Sequence, residues 1–134
     1  MIQSKKDLLF YLHADKVALK ITKSRPALIG DRVWKYQRCL RKLEYYKNTA
    51  RGSIFKKLFY YRYRLKLDRL SIKTGFHIPA NTCGPGLSLA HEGDIEININ
   101  ARLGENCRIH IGVNIGASGG DPKAPQFGNN VYIA

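Results

Sequence analysis

Apolar residues return at three- and four-residue intervals through the first half of the chain, the spacing of helices with one buried face. Ser4 and Asp7 make a capping-box pattern ahead of Leu8, Leu9 and Leu12, which predicts a first helix. Arg25, Pro26 and Gly30 interrupt it, and Asp31 is placed to cap a second helix whose Val33, Tyr36, Leu40 and Leu43 share a face. Gly52-Ser53 breaks the pattern again. A third helix from about Ser53 aligns Leu58, Tyr61, Leu65 and Ile72, and leaves Lys56, Lys57, Arg62, Arg64, Lys66 and Arg69 largely to other faces.

After Thr74 the helical period is lost, glycine becomes frequent and short β-favouring patches such as Ile95-Glu96-Ile97-Asn98-Ile99 take over. Every sixth position from Cys83 is small or apolar: Leu89, Ile95, Ala101, Cys107 and Val113 follow, and Val131 resumes the column. A second column, two places on, holds Ile97, Leu103, Ile109, Ile115, Phe127 and Ile133. Two inward columns at a period of six are the pattern of a hexapeptide-repeat parallel β-helix. The expected fold is therefore α+β, with a basic helical region over 1–74 and a hexapeptide-repeat β-helix over 75–134. Residues 117–126, rich in Gly and Pro, break both columns and are expected to project as a loop. The last coil stops in mid-repeat at Tyr132-Ile133-Ala134, which suggests a truncated form of a longer protein.

Charge sharpens this division. The net charge of +13 over 134 residues is confined to the first region: up to Thr74 there are 20 Lys and Arg against 5 Asp and Glu, and beyond it 3 against 5. Such asymmetry points to an acidic partner: a nucleic acid, an anionic membrane or a phosphorylated cofactor. Cys39, Cys83 and Cys107 are widely spaced without a CxxC pair or clustered histidines, so they read as reduced, buried thiols and no metal site is expected. No cleavable leader pattern and no run of about 20 apolar residues is present, which makes a cytoplasmic protein the expectation.

The string Gly75-Phe76-His77-Ile78-Pro79, followed by Gly84-Pro85-Gly86-Leu87-Ser88-Leu89-Ala90-His91-Glu92-Gly93, resembles bacterial serine acetyltransferases. Their repeat domain opens on Asp-Ile-His-Pro and reaches, about a dozen residues on, a Leu-Asp-His motif. Aligned without gaps, the family's catalytic histidine falls on His91 and its proline on Pro79. The likeness continues to Ser118-Gly119-Gly120-Asp121 and to Gly128-Asn129-Asn130-Val131-Tyr132-Ile133. It implies a left-handed β-helix, trimers, and transfer of an acetyl group from acetyl-CoA to the hydroxyl of L-serine, as in cysteine biosynthesis, with His91 as general base. An imidazole suits removal of a hydroxyl proton during attack on a thioester. The resemblance places the acyl donor near the projecting loop, against Gly116, Ala117, Gly119 and Gly120, and the acceptor beside Asp121 and Lys123.

The chain departs from the family in places that matter. Ala90 stands where the family has the aspartate before its histidine, Phe76 where it has the aspartate of the opening string, and Pro122-Lys123 where it has an Arg-His pair that grips serine. Glu92 and Asp94 are the carboxylates near enough in sequence to serve His91 as acid partners. A structural reading of His91, as a histidine filling the second core column two places after Leu89, stands beside the catalytic one. His77 and His110 take structural readings, and His13 lies in the helical half. With the serine-gripping pair altered, a sugar hydroxyl in polysaccharide biosynthesis is the alternative acceptor. A reading of another class makes the basic helices a nucleic-acid- or membrane-binding module, since Tyr60-Tyr61-Arg62-Tyr63-Arg64-Leu65-Lys66 interleaves aromatics and cations. It is set behind the enzyme, because a charge run on a helix is usually a solvated face.

Overall fold

The computed structural model describes residues 1–119 and 123–134. Helix α1 spans Lys5–Ala18, α2 Arg32–Thr49 and α3 Ile54–Thr74. The Ser4 hydroxyl accepts from the Asp7 N–H while the Asp7 carboxylate accepts from the Ser4 N–H, closing the capping box at the start of α1. Ser53 caps α3 with its hydroxyl alone, accepting from the Lys56 N–H. Asp31 occupies the N-cap of α2 but does not cap with its side chain. Its carboxylate turns back to accept from the Ala27 N–H and Lys23, tying down the loop before the helix.

Eight strands of two or three residues follow: β1 Phe76–His77, β2 Ser88–Leu89, β3 Ile95–Ile97, β4 Arg102–Leu103, β5 Arg108–Ile109, β6 Val113–Ile115, β7 Gln126–Phe127 and β8 Tyr132–Ile133. They pair in parallel in three small sheets, ordered β1-β3-β6, β2-β5-β8 and β4-β7. Gly75, at φ +79°, ends α3 and turns the chain directly into β1. A side chain there would collide with the Gly93 backbone and with Asp94 Oδ1, so the turn requires glycine for space as well as for its dihedral.

The expected hexapeptide-repeat β-helix is corrected by this arrangement. Among the described residues the chain is an α+β protein, three helices with short strands in separate small parallel sheets, and it forms no closed or coiled β-helix. The register is uneven: Phe76 faces Ile95 and Ile95 faces Val113, whereas Arg102 faces Gln126 and Arg108 faces Tyr132. Both sequence columns do point inward. Cys83, Leu89, Ile95, Ala101, Cys107 and Val113 are buried with Ile97, Leu103, Ile109 and Ile115, while Val131, Phe127 and Ile133 are partly buried at the far end. A six-residue period therefore records which residues face the core. It does not determine how many strands a ladder holds or how the ladders join.

One core runs through helices and strands, with Tyr36, Cys39, Leu40, Leu43 and Leu67 packed against the strand residues. Polar contacts join the same interface. Successive turns of α2 present Tyr36, Gln37, Arg41, Glu44 and Asn48 to the first strands and their connecting turns. Tyr36 Oη accepts from the Ile78 N–H, Gln37 Nε2 donates to Leu87 O, and Glu44 Oε1 accepts from the Asn81 N–H. These side chains satisfy backbone groups of the 78–87 segment that no neighbouring strand covers, and Gln37 Oε1 also accepts from the Leu89 N–H of β2. The apolar residues aligned along α3 behave differently: Leu58, Tyr61, Leu65 and Ile72 are all more than 60% exposed, and the helix buries Leu67 and Thr74 on its other side.

Candidate active site

His91 lies two residues beyond the end of β2, the strand that shares a sheet with β5 and β8. The Ala90 N–H donates to Ile109 O at 3.0 Å, and one rung further the His110 N–H donates to Ile133 O at 2.9 Å. These bonds fix the backbone on either side of a row of three rings. The His91 and His110 imidazoles meet edge to face with centroids 6.1 Å apart, and His110 meets the Tyr132 ring at 5.1 Å. His91 and Tyr132 are exposed and His110 is half-buried. His91 therefore does not fill a core column; its ring stands at the surface, able to exchange a proton with a bound molecule.

His110 and Tyr132 are the members of this row that sequence reasoning missed. Parallel pairing of Leu89 with Ile109, and of Arg108 with Tyr132, brings them alongside His91, and that register depends on where each strand begins. His77 lies apart, exposed on β1 opposite Glu96, where it lines a different cleft of about 320 Å³ with Asp68, Ser71 and Ile99.

Neither proposed acid partner is bonded to the row. Glu92 Oε2 accepts from Arg32 Nη1 at 3.0 Å, so its carboxylate is directed to the first turn of α2. Asp94 places Oδ1 over Gly75 and gives its backbone carbonyl to the Gly112 N–H. Among the described residues, neither imidazole hydrogen-bonds a carboxylate.

Of the residues assigned to the acyl donor, Gly116 lines an open cleft of about 440 Å³ with Val113, Ile115, Pro125, Phe127 and Ile133, at the outer edge of all three sheets. Ala117 and Gly119 follow it on the exposed loop, Gly119 at φ +55°. Lys123 is exposed at the other end of the loop, and Gln126, expected within the loop, already belongs to β7. Gly120 and Asp121 lie outside the described residues. Among the described residues no group of His, Cys, Asp and Glu could hold a metal ion, and no helix is long and apolar enough to cross a membrane.

No protein-family model matches this chain, and no curated protein or solved structure matches it.

Proposed function

We propose that the protein is an O-acetyltransferase that moves the acetyl group of acetyl-CoA to the hydroxyl of L-serine, with His91 as general base. The observation that carries this reading is the exposed His91 ring set against His110, itself backed by Tyr132. The local sequence Leu89-Ala90-His91-Glu92-Gly93 and the Ser118-Gly119 run support it through their resemblance to serine acetyltransferases. His91 takes the proton of the acceptor hydroxyl as its oxygen attacks the thioester carbonyl, and returns that proton to the departing thiolate. His110, edge-on to His91, holds the ring at its working angle and is a positioning residue. The cleft at Gly116 receives the acyl donor, and the cytoplasm is where both substrates are met.

A second acceptor is favoured by one specific feature. Tyr132 offers an exposed ring beside the histidines, a surface on which the apolar face of a sugar stacks, so a saccharide hydroxyl is the alternative substrate of the same chemistry. The test is release of free thiol from acetyl-CoA with L-serine, homoserine and a panel of sugars, using wild type and His91→Ala. Thiol release with L-serine that disappears in His91→Ala is the expected result. Release with sugars alone moves the acceptor, and release with none of them overturns the enzyme reading.

A further inference from the structure

The face of α3 that the sequence aligns is turned away from the rest of the protein. Ile54, Leu58, Tyr61, Leu65 and Ile72 fall within a narrow arc of the helix, opposite the side that buries Leu67 and Thr74, and every one of the five is exposed. The stripe runs about 27 Å along the axis. Beside it Leu58, Tyr61, Arg62, Leu65, Lys66 and Arg69 line a shallow groove of about 930 Å³. Helical spacing places Arg62, Lys66 and Arg69 on one flank of the stripe and Lys57 and Arg64 on the other. Arg64 pairs with Asp68, the helix's sole acidic residue. The side chains of Lys57, Arg62, Lys66 and Arg69 make no hydrogen bond or ion pair among the described residues. The loop before α2 reaches this flank, since Leu28 shares a cleft with Tyr63 and Lys66, and Leu28 and Ile29 are almost wholly exposed.

We propose that α3 lies flat on an anionic phospholipid membrane, with Leu58, Tyr61 and Leu65 sunk among the acyl chains and Arg62, Lys66, Arg69 and Lys57 at the level of the headgroup phosphates. An apolar stripe flanked on both sides by cations is the arrangement such a surface takes up, because the long side chains keep their charges at the interface while their stems lie along the apolar layer. Charge decides against the other occupants. A second copy of the chain would set α3, with seven Lys and Arg against one Asp, opposite an equally basic helix. A nucleic acid would satisfy the two rows of cations but leave the leucine and isoleucine stripe between them without an apolar partner.

The experiment is flotation of the full chain with vesicles of phosphatidylcholine alone and of phosphatidylcholine with about 30% phosphatidylserine. Wild type is compared with Leu58→Ser/Leu65→Ser and Arg62→Gln/Arg69→Gln, with helical circular dichroism and urea unfolding as checks of the fold. These positions are exposed, so both variants should fold as wild type does. The expected result is flotation with the anionic vesicles only, weakened ~10-fold or more in each double variant. Absence of flotation overturns the proposal. So does flotation that high salt abolishes but Leu58→Ser/Leu65→Ser leaves unchanged, which marks a purely electrostatic surface and is tested in parallel on single-stranded RNA. A wild-type dimer that Leu58→Ser/Leu65→Ser dissociates overturns it in favour of a second copy. None of these outcomes depends on acetyl transfer.

Discussion

The Arg41 guanidinium donates from Nε to Asp15 Oδ2 at 2.8 Å with both residues almost entirely shielded from solvent, and so joins α2 to α1 inside the core. It also donates to Glu44 and to the carbonyls of Cys83 and Gly84, while Asp15 Oδ1 accepts from the backbone N–H groups of Gly86 and Leu87. Burial works against the charge on Arg41, but Glu44 and Asp15 outweigh it and hold the guanidinium above its ordinary pKa. The cluster thus fixes two helices onto the turn before β2. Arg41→Met leaves two buried carboxylates without their cation and should cost about 3–5 kcal/mol. Urea unfolding measures it, and a midpoint equal to wild type would show that the network contributes nothing net.

The thiols respond to pH in a calculable direction. Burial pushes Cys39 up to about 11 and Cys83 up to about 12, from an ordinary 9.0. The neutral thiol is the form the fold prefers, so this contribution to stability is complete below pH 9 and is lost as pH rises through 11 to 12. Iodoacetamide at pH 8.5 should label Cys39 and Cys83 only at the rate of unfolding, and denaturant should make labelling fast. Rapid labelling of folded protein at those two sites would contradict their burial.

Close backbone approach makes a second stability prediction. A Cβ on Gly84 would lie 2.5 Å from Gly104 O, part of a backbone that cannot swing aside, whereas one on Gly128 would meet nothing within 4 Å. Gly84→Ala should lower stability by about 1–3 kcal/mol and Gly128→Ala should leave it within about 0.5 kcal/mol. Thermal unfolding of the two variants side by side checks the contrast, and equal effects would refute it.

The helices were legible in the sequence because their signals are local. The Ser4–Asp7 box, the break at Pro26 and Gly30, and Ser53 all act within a few residues of themselves. Which side of a helix is buried is not local. The α3 stripe aligns as the spacing requires, yet the protein packs the opposite side, because α2 and β1 meet Tyr60, Tyr63 and Leu67 instead. In α2 the buried positions include Gln37, Arg41 and Glu44, which composition alone assigns to solvent. Their partners lie in α1 and in the 81–89 segment, far away along the chain. The columns of the second half revealed inward residues, but parallel pairing at uneven separations left the sheets, and with them the meeting of His91, His110 and Tyr132, unreadable.

That meeting gives the last prediction, and it separates the three exposed or half-exposed histidines of the strand region by role. His91→Ala should remove ~10²–10⁴-fold of acetyl transfer to the true acceptor, the usual loss on deleting a general base. Its unfolding midpoint should stay close to wild type, because the ring is exposed and supports no core packing. His110→Ala removes the ring against which His91 rests and should lower kcat by a smaller factor, with the KM for acetyl-CoA little changed. His110→Phe, which keeps a flat ring of similar reach, should recover part of that loss if the role is positioning, and none if His110 itself moves the proton. His77→Ala is the control, for its ring lines a separate cleft with Glu96 and Asp68. Steady-state kinetics on the four variants decides the matter. Full turnover in His91→Ala would return that residue to a surface histidine, and a loss in His77→Ala equal to that in His91→Ala would move the site to the cleft between α3 and β1.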